Sequence, residues 1–187
     1  MIGLIQRVLI DHIESTLGES AVRQLAADAG IETLGRRIDT DYDDAECLRL
    51  FDAAGKALGL DQEALMALYA DIFVKWTLVH YPMFFQMADS AQAFLARQPA
   101  IHASMGAGIR DAQLRARVND KFRIVEQHPG RLVVEYRSEN GLCGLYRALF
   151  RRLLEHYGER GRCEETGCMH RGDDYCRFVM HFEELPA

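Results

Sequence analysis

Apolar residues recur at helical spacing from the start of the chain. Leu4, Ile5, Val8, Leu9, His12, Ile13 and Leu17 fall on one stripe, and Gly18 ends it. Ser20 is placed to cap a short second helix that closes at Gly30. The aspartates of residues 39–44 precede a third helix ending at Gly59, and Asp61 caps a long fourth one halted by Pro82. Two shorter helical pieces follow, over residues 91–98 and 100–108, separated by Pro99.

From about residue 118 the period changes. Residues 121–127 and 131–137 alternate or run apolar over strand lengths and are joined by His-Pro-Gly, a turn signal. Residues 141–158 return to helical spacing, with Leu142, Leu145, Leu149, Leu153 and Leu154 on one face. Two more strands follow, hinged at residues 170–173. Helices first and strands afterwards predict an α+β fold: a helical subdomain over 1–117, then a βαββ subdomain over 118–187. The second part holds an antiparallel sheet of about four strands and one long helix. No Gly/Ser/Pro-rich linker divides the two, so a single domain spanning 1–187 is expected.

Charge narrows the function. A net charge of −6 and a pI near 5.6 argue against a nucleic-acid surface, which needs a basic field. No apolar run approaches the roughly 20 residues that cross a bilayer. The first residues lack a signal peptide's uninterrupted apolar region, so a cytoplasmic protein with reduced thiols is expected. The chain has no Gly-rich phosphate loop, nucleophile elbow or HExxH, and no enzymatic activity is expected.

Several stretches in this order resemble the haem nitric-oxide/oxygen-binding (H-NOX) family: MIGLIQ at the start, YADIFVKWTLVHYPMFF, FLARQPAIHASMG, YRSEN, and GLCGLY leading to CMHRGDDYC. The resemblance covers nearly the whole chain. The cysteine-bearing hairpin also resembles four-vinyl-reductase-type ligand-binding domains. Taken alone, His102 reads as an ordinary interior or surface histidine. The H-NOX resemblance makes it the one protein ligand to the iron of a haem b, with the opposite coordination position left for a diatomic gas.

The same resemblance gives Tyr136 and Ser138 to the haem propionates, although Asn140 stands where the family carries an arginine. Nor is there the proline that members usually carry before the first strand. The resemblance places Ile5, Leu9, Phe73, Thr77 and Leu145 around the gas. Leu145 takes the position of the tyrosine that oxygen-binding members use, with Tyr146 one step aside. A pocket without that donor implies nitric oxide as the ligand. The implied output is a conformational change, begun when nitric oxide weakens the iron–His102 bond and passed to a separate histidine kinase or cyclic-di-GMP enzyme.

Four of the five cysteines gather late in the chain. Cys168 and Cys176 flank the turn at Gly172, Cys163 lies at the entrance of the same strand, and Cys143 heads the preceding helix. Four thiolates converging in this way read as structural zinc, and the alternative is inert buried thiols. Related H-NOX proteins bind zinc here, sometimes through a histidine whose place Cys163 is expected to take. His170 is expected beside the metal rather than on it, and Cys47 in the core. Two other functions remain open: a haem-independent redox sensor built on the zinc–cysteine cluster, and a binding domain for another hydrophobic small molecule.

Overall fold

In the computed structural model the described residues are 3–34, 37–38, 40, 42–137 and 140–183. The chain forms two compact units, Met1–Trp76 and Thr77–Ala187. The boundary falls inside the fourth helix, whereas the change of period in the sequence lies near residue 118.

The first unit is helical. It contains α1 (Leu4–Leu17), α2 (Glu19–Asp28), α3 (Asp44–Leu58) and most of α4 (Gln62–His80). Gly18, at φ 85°, turns the chain so tightly that α2 starts at Glu19. Ser20 is therefore already helical, and no side chain caps this end, contrary to its expected role. The aspartate caps do form: Asp43 Oδ1 accepts from the Glu46 N–H at 2.9 Å, and Asp61 Oδ1 from the Ala64 N–H at 2.8 Å. The core centres on Tyr69, whose ring lies 4.9 Å from that of Phe51 and whose hydroxyl donates to the Ile5 carbonyl at 2.9 Å. Cys47 is fully buried there, as expected.

The second unit continues with α5 (Pro82–Gln86), α6 (Ala91–Ala96), α7 (Gln98–Gly106) and α8 (Ala112–Asn119). It ends with β1 (Phe122–His128), β2 (Arg131–Tyr136), α9 (Cys143–Tyr157), β3 (Gly161–Gly167) and β4 (Cys176–Phe182). Pro82 and Pro99 both sit in the first turn of a helix, where a missing N–H costs nothing. Pro99 thus opens α7 rather than parting two pieces, and Arg97 alone lies between α6 and α7.

The four strands form an antiparallel sheet in the order β1-β2-β4-β3. Leu132, Val134 and Tyr136 of β2 face Met180, Phe178 and Cys176 of β4, and Cys163 and Glu165 of β3 share that face. Helix α9 packs on β3, α6 on β2 and α7 on β1. On the other face Glu135 bonds both Arg123 and Arg177. Burial would raise its carboxyl, but the two guanidiniums outweigh that and hold it below the usual range. Among the described residues no helix is long and apolar enough to cross a membrane.

Candidate functional site

Helix α7 carries His102 with its ring half-buried and the Nδ1 atom fully buried without a hydrogen-bond partner. The imidazole stands 4.7 Å, centroid to centroid, from Phe122 at the start of β1. Burial first, and after it the Lys121 ammonium, lower its pKa to about 4, against a smaller raising effect of the Val118 backbone. At neutral pH the ring is uncharged, so one nitrogen lone pair is available. An uncharged imidazole with a buried, unpartnered nitrogen is the state in which histidine binds a metal.

Phe122 opens a run of aromatic rings within this unit. It stacks on Tyr136 at 4.9 Å, Tyr136 on Tyr146 at 5.6 Å, and Tyr146 lies 4.7 Å from Phe178. The Tyr146 hydroxyl donates to Gln98 Oε1 at 2.9 Å. Burial, then the neighbouring Cys163 and Tyr136, push the Tyr146 phenol well above its ordinary range, so it remains a donor. His102, Tyr136 and Tyr146 are thereby joined through Phe122. Ser138 lies outside the described residues. Asn140 is buried, and Arg137 is exposed with its backbone N–H donating to the Lys121 carbonyl.

The expected gas-pocket residues divide between the units. In the first, Leu9 is buried and Ile5 and Phe73 are half-buried; in the second, Thr77 and Leu145 are buried.

At the start of α9 the cysteines converge. Cys143 Sγ lies 3.9 Å from Cys168 Sγ, and the Met169 N–H donates to Cys176 Sγ at 3.4 Å. Among the described residues, the ligand atoms of Cys143, Cys168, Cys176 and Glu165 all lie within 4.8 Å of one another. Cys163 does not belong to this group, contrary to its expected place. Two strand residues advance the chain about 6.6 Å, which leaves Cys163 opposite Met180 while Glu165, opposite Phe178, stands nearer the turn. Arg147 donates to Glu165 Oε2, and Glu165 Oε1 is buried with no partner.

Burial above all, then Glu165 and the other two thiols, raises Cys143 to about 12. Cys163 also rises to about 12, mainly through burial. Without a cation this pocket holds Cys143 as a thiol; a dication would take its proton instead. Sulfurs bound tetrahedrally at about 2.3 Å lie about 3.8 Å apart, close to the Cys143–Cys168 separation. His170 stands beside the group, with Nε2 2.8 Å from the Gly141 carbonyl.

Sequence reasoning passed over Glu165, Lys121 and the Gln98–Tyr146 bond. Alternation along β3 puts residues 163 and 165 on one face, a signal that admits either as a ligand. Nothing in the local sequence announces the other two.

A family model described as Haem-NO-binding matches residues 2–165. No curated protein matches the chain. Among solved structures, the fold is similar to an H-NOX protein from S. oneidensis in the Fe(II)NO state, at 16% identity and a TM-score of 0.80 over 98% of this chain and 100% of that one. It is also similar to the Fe(II) unliganded H-NOX protein from K. algicida, at 18% identity and a TM-score of 0.73 over 100% and 99%.

Proposed function

The chain belongs to the haem-NO-binding family, and we propose that it senses nitric oxide through a haem held by His102. The fold is that of a haem-based gas sensor. The observation that carries the reading is the buried, unpartnered Nδ1 of an imidazole kept neutral at physiological pH. A haem b held there would supply a ferrous iron able to bind a diatomic gas. His102 is its protein ligand, and Tyr136 with Ser138 receives the carboxylates.

Selectivity follows from hydroxyls that are absent or occupied. Leu145 is buried and carries no donor, while the hydroxyl next to it, on Tyr146, is committed to Gln98. Bound oxygen gains most from a donor, so this arrangement favours nitric oxide. The output is a change in α7 passed to a separate signalling protein, of the kind a histidine kinase or cyclic-di-GMP enzyme represents; the chain itself performs no catalytic step.

At the cysteine end we assign a structural zinc to Cys143, Cys168, Cys176 and Glu165. The support is the gathering of the four ligand atoms within 4.8 Å of one another, the 3.9 Å between Cys143 and Cys168 Sγ, and the buried oxygen of Glu165 that lacks a donor. Zinc here staples the start of α9 to the β3–β4 turn.

An absorption spectrum of ferrous protein from haem-sufficient cells tests the gas-sensor reading. A Soret band that shifts with nitric oxide in the native chain, and is lost or altered in His102→Ala, is the expected result. A chain that stays colourless after reconstitution with haem overturns it.

A further inference from the structure

Two glutamates are buried on opposite faces of the sheet, and they are satisfied differently. Glu135, with 5% of its side chain exposed, has both carboxylate oxygens taken: Arg123 donates to Oε2 and Arg177 to Oε1. Glu165, with 10% exposed, has only one of them taken. Arg147 donates to its Oε2, while Oε1 is buried without a partner. A guanidinium can grip both oxygens at once, and an oxygen left over in a buried place is costly. This carboxylate also reaches three sulfurs: one of its oxygens lies within 4.8 Å of the Sγ atoms of Cys143, Cys168 and Cys176.

Arg147 comes from the helix that supplies one of those sulfurs. Cys143 opens α9, and Arg147 follows four residues later, one turn along the same face. Helix α9 thereby holds the group twice, through a thiol and through the guanidinium that fixes the rotation of the Glu165 carboxylate. Ionised, the four side chains carry two charges more than a zinc dication offsets, and Arg147 is a cation bonded to one of them. A half-exposed ion pair on its own contributes little to stability. An arginine bonded to a metal ligand does more, because it orients the ligand and takes up part of its charge.

We propose that Arg147 positions Glu165 for the metal: it holds Oε2, leaves Oε1 to bind beside the three thiolates, and offsets part of the negative charge of the site. The proposal rests on the zinc assignment, and its failure is read separately from the failure of that assignment. The probe is zinc alone, added to the metal-stripped chain in competition with a chelator of known affinity. Arg147 is half-exposed, so Arg147→Met is expected to fold. It should weaken zinc binding by roughly 10–100-fold, and Arg147→Lys, which keeps the charge without the fork, should fall between it and the native chain. In a Glu165→Gln background Arg147→Met should cause no further loss, because it acts through that carboxylate. Cobalt(II) in place of zinc reports the ligand arrangement, and its visible bands should shift in Arg147→Met.

An Arg147→Met chain that matches the native one in zinc affinity or in cobalt spectrum overturns the proposal. So does an equal loss of affinity with and without Glu165, which would make Arg147 a support for the fold alone. A native chain that takes up no zinc removes the metal site itself and the proposal with it, a result distinct from the other two.

Discussion

The hydroxyl of Tyr146 donates to Oε1 of Gln98 at 2.9 Å, and both side chains are buried. Tyr146 lies one turn after Cys143 on α9, and Gln98 one turn before His102 on α7. A single hydrogen bond therefore joins the helix that starts at the cysteines to the helix that carries the candidate ligand. Tyr146→Phe leaves the Gln98 oxygen buried and unpaired, at a cost of about 1–3 kcal/mol. Denaturant unfolding of the haem-free protein should register that loss. Combining it with Gln98→Leu should recover much of it, because removing both polar partners is cheaper than removing one.

His102 makes the stability of haem-free protein depend on pH. Its folded pKa, about 4, lies below the ordinary 6.5, so the unfolded chain binds the proton more readily. Its contribution is complete above about 6.5 and is lost as pH falls towards 4, amounting to at most about 3 kcal/mol. His102→Gln should flatten this part of the profile. Lys121→Met should raise the His102 pKa while leaving it below 6.5, because burial is the larger cause. An NMR titration reads both.

What the sequence disclosed follows strength of pattern. Helices α1, α3, α4 and α9 have broad apolar stripes with aspartate or glycine ends, and all were legible. Helix α8 buries only Leu114 and Val118 on otherwise charged turns, so its periodicity is faint although Asp111 caps it at 2.7 Å. Helix α5 is five residues long and was hidden behind Pro82, read as a stop where it is a start. At the site, His102 and three of the cysteines were visible as residue types. Glu165 was not, because choosing between it and Cys163 needs the distance to the turn, which the sequence does not supply.

Gly141 ties two loops together. It has a φ of +62°, and a Cβ there would overlap the ring of His170, whose Nε2 meets the Gly141 carbonyl at 2.8 Å. Gly141→Ala is expected to destabilise the fold by more than the roughly 1 kcal/mol typical of backbone strain alone, since it also displaces His170 from beside Cys143. His170→Ala removes the obstruction. In that background Gly141→Ala should cost less, and a double-mutant cycle by thermal unfolding measures the difference.

The cysteine end predicts a metal dependence that separates Glu165 from Cys163. Purified protein should contain about one zinc per chain, and a chelator should lower its unfolding temperature, because metal bound only by the folded chain is folding free energy. Cys168→Ser and Cys176→Ser should lose the metal. Glu165→Gln should weaken binding, since it removes a charge from the oxygen that lies buried without a donor. Glu165→His, a neutral ligand in the same position, should retain it. Cys163→Ser should leave zinc content unchanged, because that thiol sits one strand repeat beyond the group. Loss of zinc in Cys163→Ser with full retention in Glu165→Gln would return the site to four thiolates, with β3 shifted by two residues in the metal-bound chain.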